Sequence, residues 1–449
     1  MEEKNILQNE YITSQDAFVL VQDKEKIFDV PFQTKPTTFI KDAFKRFCKN
    51  KSSVVGAIII FIIVLLSLIV PTLIPYDIEK PHTSEGFLLP KVFESGTGFW
   101  DGTQRIKEYS FDEKTGLPYD YTNHNAVKDL VVYEGEDGVK LCDFTYDKYE
   151  AVYGEITTHV ANVTIKDYIR KGLCEFDFED VESFKIKDDA CPIRSIVSIE
   201  TDSEGYTKVT CVLSRYRSLG YDEMPKFIFG TNESGHDTVK LSFIGLQKSL
   251  VFAIVIAAIC FSVGLVWGAV SGYFGGNLDL FLERFKDILG GVPTVVIVTL
   301  FRLHLGDALW VFALSLCITG WMGTASRTRT QFYRFKGREY VLASRTLGAS
   351  DKRLIFRHIL PNSLGTIVTS SVLMIPSLIF TEATLSYLGL GLQGSDSFGT
   401  ILSENQGNLK DFPALILFPA VIISLMMISF NLFGNGLRDA LNPSLKGSE

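Results

Sequence analysis

Few residues in this chain are of a type that could do chemistry, and they are widely spaced. Cys142, Cys174, Cys191 and Cys211 lie in one acidic stretch. An even set of cysteines confined to one segment predicts two disulfides, with three possible pairings; four buried free thiols are the alternative. No spacing there suits a metal ion, no glycine elbow presents a nucleophile, and no G-x-x-x-x-G-K-[ST] occurs in the chain, so it lacks the usual cradle for a nucleotide phosphate. Glu382 stands near the end of an apolar run, where an ionisable group faces a cavity or a polar partner. Arg302 and His304 flank another apolar run; they could line a pathway, or sit at a membrane interface.

The densest set of informative residues is 338–361, reading REYVLASRTLGASDKRLIFRHILP. Its first part, through Leu347, holds good helix formers with no glycine or proline. Gly348 supplies the left-handed position that ends many helices. Ser350 can cap a second helix, and Asp351 falls in its first turn, where the helix dipole favours an anion. Leu354, Ile355, His358 and Ile359 recur at helical spacing and give that helix one apolar face. Arg357 and His358 fill its last turn, and Pro361 is expected to stop it. The pattern predicts two short basic helices that meet at a glycine.

Apolar runs of roughly 20 residues, enough to cross a bilayer, begin after Ser53, Ser242, Ile288, Gly306, Ser363 and Asp411. The chain of 449 residues carries a formal net charge of −8, unevenly spread. Residues 76–240 hold 19 Lys and Arg against 32 Asp and Glu, a net of −13, which leaves +5 for the rest. The basic residues flank apolar runs rather than forming a stripe on a soluble domain, so nucleic acid is not an expected partner; membrane lipid is.

Residues 1–53 read as a cytoplasmic tail that ends in an amphipathic basic helix. There Phe39, Ala43, Phe44 and Phe47 form a stripe among lysines and Arg46, as in helices that lie on a membrane surface. Residues 54–75 form the first span. It follows a long polar stretch and has no small-residue cleavage site, so it is retained rather than removed as a signal. Basic residues before it and acidic ones after it put the N-terminus in the cytoplasm. Six spans put the C-terminus there too, and place the basic loop 324–361 on the same side.

Residues 76–225 are then an extracytoplasmic insertion. Alternation near Leu130, Ser183, Ile196 and Lys208 predicts strands, and the stretch after Ile165 a helix, in a small β-rich α+β domain. Residues 226–449 hold the remaining spans. Among them, Ala253, Ala257, Ala258, Gly264 and Gly268 permit close helix packing. The fold class is an all-α membrane protein of six transmembrane helices with a cytoplasmic loop, plus the inserted α+β domain.

Residues 338–361 resemble the "EAA" loop of membrane subunits of ATP-binding cassette importers. Gly348 matches the loop glycine, and His358-Ile359-Leu360-Pro361 matches its ending; of the EAA triplet only Ala343 is kept, and Glu339 lies upstream. Further motifs agree with the peptide and nickel permeases. Phe229-Gly230-Thr231 to Gly235-His236-Asp237 precedes the second span, and Gly272-Tyr273-Phe274-Gly275-Gly276 follows it. Glu382-Ala383-Thr384-Leu385-Ser386-Tyr387-Leu388-Gly389 ends the fifth, and Asn431-Leu432-Phe433-Gly434-Asn435-Gly436-Leu437-Arg438-Asp439 the sixth. Asn232, His236 and Asn435 depart from the commoner residues.

The chain looks most like the C-type permease of an oligopeptide or dipeptide importer. That resemblance implies a loop docking on an ATPase through Glu339, Ala343, Gly348, Ala349, Ser350, Asp351, Arg353 and His358. It implies as partners a homologous second permease, two ATPase subunits that bind ATP and Mg, and an extracytoplasmic peptide-binding lipoprotein. No cofactor is expected on this chain, and no enzymatic activity. Glu382 and Ser386 could line the pathway, where Glu382 could meet a peptide amine or hold a structural hydrogen bond. Nickel or glutathione is an alternative cargo. A secondary transporter would need more charges within the spans, and a membrane-anchored receptor would leave the glycine-hinged loop unexplained.

Overall fold

The computed structural model describes residues 39–76, 85–93, 100–121, 123–135, 138–201, 207–391 and 397–441. Of the tail expected over residues 1–53, residues 1–38 lie outside them. The chain opens with α1 (Phe39–Lys49) and α2 (Lys51–Leu73). Phe47 of α1 packs edge-on against Phe433 at 5.5 Å, while Phe44, one turn earlier, is exposed.

The inserted domain follows: β1 (Thr103–Asp112), β2 (Leu117–Pro118), β3 (Val127–Glu134), β4 (Lys140–Asp147), α3 (Lys148–Tyr153), β5 (Glu155–Ala161), α4 (Asn162–Arg170), β6 (Cys174–Asp177), β7 (Asp180–Ile186), β8 (Ile193–Thr201), β9 (Thr207–Ser214) and α5 (Arg215–Ser218). One sheet has the order β2-β1-β4-β3, a second β5-β9-β8, and β6-β7 form a hairpin, all antiparallel. Along β5 the residues alternate between exposed and half-buried, as expected of a strand with one face on a core. That core is Ile165 of α4 with Cys174, Cys191, Ile193, Val209 and Cys211.

A second apolar cluster, Leu88, Tyr149, Val152, Tyr153 and Phe227, forms the base of the domain. Stacked rings bolt that base to the helical part: Phe87 on Phe412 at 4.9 Å and Phe229 on Phe418 at 4.1 Å. Polar bonds add to this. The Leu88 N–H donates to Thr231 Oγ1 at 2.8 Å, close ahead of α6, and the Lys148 ammonium lies 5.9 Å from the Phe412 ring centre. The domain is therefore fixed by its base rather than hung on a linker.

The remaining helices are α6 (Thr238–Phe274), α7 (Gly276–Gly290), α8 (Thr294–Leu305), α9 (Leu309–Gly320), α10 (Met322–Lys336), α11 (Glu339–Thr346), α12 (Asp351–Arg353), α13 (Leu360–Val372), α14 (Met374–Tyr387), α15 (Phe398–Asn405) and α16 (Ala414–Leu441). Five helices or continuous helix pairs among the described residues are long and apolar enough to cross a membrane, and a sixth candidate is the pair α7 and α8, bent by 76°. The apolar run after Ile288 therefore does not make a straight span of its own. At 12 residues α8 is about 18 Å long, short of the roughly 30 Å hydrocarbon core. Gly290, Gly291 and Pro293 break the chain before it, since proline has no N–H to offer and pushes Val292 out of the helical region.

The long helix α6 is the spine, touching α2, α7, α9, α10, α14, α15 and α16. In lipid, apolar burial drives little helix association, so close van der Waals approach must do it. Gly264, Gly268 and Gly272 form a stripe on which α10 lies so closely that a Cβ at any of them would strike backbone atoms of Trp321, Ala325 or Arg329.

Pro361 does not stop its helix, contrary to the expectation. It occupies the first turn of α13, and helix runs on from Asp351 through residues 354–359, which form a π-helical segment. A wide π turn loosens the i to i−4 ladder where the proline ring would otherwise strike a carbonyl and where its missing N–H would leave a gap.

Candidate functional site

The basic loop is built as a Schellman-capped helix, a glycine and a second helix. At the end of α11 the Gly348 N–H donates to the Arg345 carbonyl (3.0 Å) and the Ala349 N–H to the Ser344 carbonyl (3.1 Å). This closure needs a left-handed residue, and Gly348 has φ +81°. Ser350 stands at the N-cap of α12 in extended conformation, but its side chain makes no capping bond; its carbonyl accepts the Leu354 N–H instead.

Val341, Leu354 and Ile359 are fully buried against Tyr273 and Phe332, with Ala349, Ile355 and Leu360 packed beside them. Glu339, Ala343, Asp351 and Arg353 are exposed, and His358 is half-buried. Three apolar side chains, Leu342, Leu347 and Phe356, break that pattern, the last two most. Leu347, next to the glycine, is 87 % exposed, and Phe356 is 67 % exposed. Sequence reasoning passed over both. The signal was there for Phe356, which is out of phase with the Leu354, Ile355, His358 and Ile359 stripe.

Two polar networks hold this loop to the spine. Tyr273, in the last turn of α6, donates its hydroxyl to Asp351 Oδ1 (2.5 Å) and accepts from the Arg345 guanidinium (3.3 Å). Beside it, Asp279 of α7 takes both guanidinium nitrogens of Arg329 at 2.6 Å, a bidentate pair, together with the hydroxyls of Tyr333 (2.8 Å) and Ser271. These join α6, α7 and α10 at the end that carries the loop.

Toward the other end of α6, Glu382 of α14 is 1 % exposed and satisfied by three hydroxyls from three elements. Ser249 of α6 donates to one carboxyl oxygen (3.1 Å), while Ser386 (3.1 Å) and Ser397 (2.7 Å) donate to the other. The Phe398 N–H at the head of α15 donates in turn to Ser249 Oγ (3.1 Å). The cluster pins α6, α14 and α15 together, which is the structural role considered for Glu382. It also forms the polar edge of a cavity of about 620 Å³ whose walls include Phe252, Val255 and Trp310. Ser386 is buried within the cluster and does not line that cavity. Arg302 donates to Asp307 (2.6 Å) and to the Gly389 carbonyl (3.2 Å), which ties two loops together.

The two expected disulfides are not formed. Every cysteine is a free thiol. Cys142 sits on β4 in the four-stranded sheet, where its thiol donates to the Tyr109 carbonyl, while Cys174, Cys191 and Cys211 share the core of the other sheet. Sharing a segment of sequence did not mean sharing a core, so four cysteines cannot pair off as two bridges here. Burial pushes the Cys211 thiol up to about 11 and raises those of Cys142 and Cys174, which keeps these groups protonated at neutral pH.

The comparisons bear on this architecture. Residues 264–447 match the family described as binding-protein-dependent transport system inner membrane component, and residues 38–90 match the N-terminal transmembrane domain of oligopeptide transport permease C. The oligopeptide transport system permease protein OppC of Bacillus subtilis is 41% identical over 219 residues, which is 49% of this chain and 72% of that protein. The chain belongs to the binding-protein-dependent permease family. The dipeptide transport system permease protein DppC of Lactococcus lactis is 35% identical over 51% of this chain and 67% of that protein. Among solved structures, the MetNI methionine ABC transporter is similar at 17% identity and a TM-score of 0.37, covering 45% of this chain and 96% of that one. In this permease the loop, the paired Asp279 and Glu382 with Ser386 and Ser397 fall within the matched region, while Ser249 of the same cluster lies just before it. Residues 91–263, with every described strand of the inserted domain, lie outside both family matches.

Proposed function

We propose that this permease forms half of the membrane pathway of an ATP-binding cassette importer for oligopeptides in the bacterial cell membrane. Its relatives' names support the cargo class. The bent pair α7 and α8 counts as one of six spans, both termini face the cytoplasm, and the inserted domain faces out. The basic character of residues 324–361 supports that orientation. A homologous permease completes the pathway, two ATPase subunits bind and hydrolyse ATP with Mg, and an extracytoplasmic peptide-binding lipoprotein delivers the cargo. This chain performs no catalysis itself.

The observation that carries the reading is the exposure of Leu347 and Phe356, well beyond that of Leu342, on a loop whose Val341, Leu354 and Ile359 are buried. Isolated apolar knobs among Arg345, Lys352, Arg353 and Arg357 suit a groove on a partner protein, where a few buried anchors supply most of the binding energy. Closure of the ATPases on ATP then moves the loop and biases the helices between inward-open and outward-open states. The net −13 of residues 76–240 and the rigid base of the inserted domain suit a docking platform for the binding protein.

The test is co-purification of the ATPase subunits with the full-length tagged permease in its complex. Leu347→Asp and Phe356→Asp each weaken recovery of the ATPases by about ten-fold, the effect of losing one anchor. Unchanged recovery with both variants overturns the docking role of the loop.

A further inference from the structure

The loop has to move the helices that form the pathway, and one side chain stands between them. We infer that Tyr273 is the positioning residue through which the coupling loop drives the long helix α6. The inference rests on the docking reading above and goes beyond it, from where the ATPase binds to how its motion enters the membrane.

Three observations carry it. First, Tyr273 is bonded to both sides of the hinge at once. Arg345 belongs to the last turn of α11 and Asp351 to the first turn of α12, with Gly348 between them, and the one phenolic oxygen meets both. The Arg345 guanidinium also lies 5.8 Å from the Tyr273 ring centre. Second, Tyr273 is only 6 % exposed, in an apolar cluster with Val341, Leu354 and Ile359, so the loop cannot rotate about Gly348 without displacing its ring. Third, α6 is a single helix of 37 residues, about 55 Å long, without an interior break. Its other half carries Ser249 of the Glu382 cluster, and its first residue is hydrogen-bonded to Gly230 at the base of the inserted domain. A displacement applied at Tyr273 therefore reaches the far end of the molecule along one rigid element.

The hydroxyl does what the ring alone cannot. Apolar packing holds Tyr273 in the cluster, but only the bonds to Arg345 and Asp351 tie its position to the angle between the two loop helices. Tyr273→Phe keeps the packing and removes the tie. Asp351→Asn keeps an oxygen that accepts from the phenol, and Asp351→Ala does not.

The experiment uses the complete complex in lipid nanodiscs, with both permeases, the ATPases and the binding protein loaded with an oligopeptide it retains from purification. It reads basal ATPase rate, stimulated rate and thermal midpoint. Tyr273→Phe retains basal hydrolysis and lowers the stimulated-to-basal ratio by about ten-fold, the effect of one hydrogen bond to a charged group; Asp351→Ala, which also alters the docking loop, lowers that ratio by a similar factor whatever its basal rate. The double variant is no worse than either single one, and Asp351→Asn restores the ratio. A wild-type ratio in Tyr273→Phe overturns the inference, as does a proportional fall of both rates, additivity in the double variant, or failure of Asp351→Asn to rescue. Failure of the wild-type chain to recover ATPase subunits is a different result, and overturns the docking reading on which this one stands.

Discussion

Gly348 offers a clean perturbation, because nothing lies within 4 Å of where its Cβ would stand. A side chain there meets no neighbour, so the whole effect of substitution comes from the backbone at φ +81°. Holding an ordinary L-residue in that region costs roughly 1–2 kcal/mol, and a β-branched residue up to about 3 kcal/mol. The two Schellman bonds, Gly348 N–H to Arg345 and Ala349 N–H to Ser344, are the ones that would open to relieve it. Since each 1.4 kcal/mol is a factor of ten in population, Gly348→Ala leaves the loop in its closed form about five- to thirty-fold less often relative to the alternatives, and Gly348→Val more than a hundred-fold at the upper bound. Asparagine tolerates the left-handed region, so Gly348→Asn stays close to wild type. Peptide uptake and stimulated ATPase activity by the reconstituted complex should fall in the order Asn, Ala, Val, with complex recovery following the same order. A valine variant with normal uptake and recovery would refute the hinge reasoning, and an asparagine variant as poor as valine would show that the φ angle is not the cause.

Three further predictions follow from other parts of the molecule. Ser249→Ala removes a donor to Glu382 and leaves the buried Phe398 N–H without its acceptor, lowering stability by about 1–3 kcal/mol in detergent melts; Glu382→Gln, which keeps an acceptor for Ser386 and Ser397, costs less, and the reverse order would contradict the cluster. Asp237 caps α6 through the Lys240 N–H and is pushed by burial from 3.8 up to about 6. A raised acid contributes stability that is full below 3.8 and is lost as pH rises through about 6, roughly 3 kcal/mol in all. Asp237→Asn still caps the helix and should flatten that part of the stability profile; a parallel slope in both proteins would exclude Asp237 as its source. Finally, alkylation of the unfolded, unreduced chain should label Cys142, Cys174, Cys191 and Cys211 alike, and a bridged peptide containing Cys142 in the mass spectrum would contradict the sheet placement.

The sequence made the apolar helices, the glycine-hinged loop and the β-rich insertion legible because each is written in local pattern: long hydropathy, a glycine between helix formers, and period-two alternation. Strands β3, β8 and β9 contain the segments picked out by alternation near Leu130, Ile196 and Lys208, and β7 covers all but the last residue of the one at Ser183. Strand β1 was missed because Thr103–Asp112 has polar residues on both faces and a bulge near Ile106 that breaks its register. Hydropathy also hid the 76° bend before α8, since a window of apolar residues records no direction. Pro361 was misread because the local rule knows nothing of a π turn that can accommodate the ring. The partnerships that organise the candidate sites were the least legible. Tyr273 meets Asp351, Ser249 meets Glu382 and Arg329 meets Asp279 only after the helices pack, and no spacing in the chain announces them.

The central claim is that the loop around Gly348 is where the ATPase grips this permease. A photo-crosslinking amino acid placed at Leu347, the most exposed apolar side chain of the loop, tests it directly in the assembled complex. Irradiation should join the permease to an ATPase subunit in high yield. A control placed at Val163, an exposed position in the inserted domain, should give no such product. If Leu347 crosslinks instead to the second permease or to lipid, and the ATPase subunit stays free, the account is wrong.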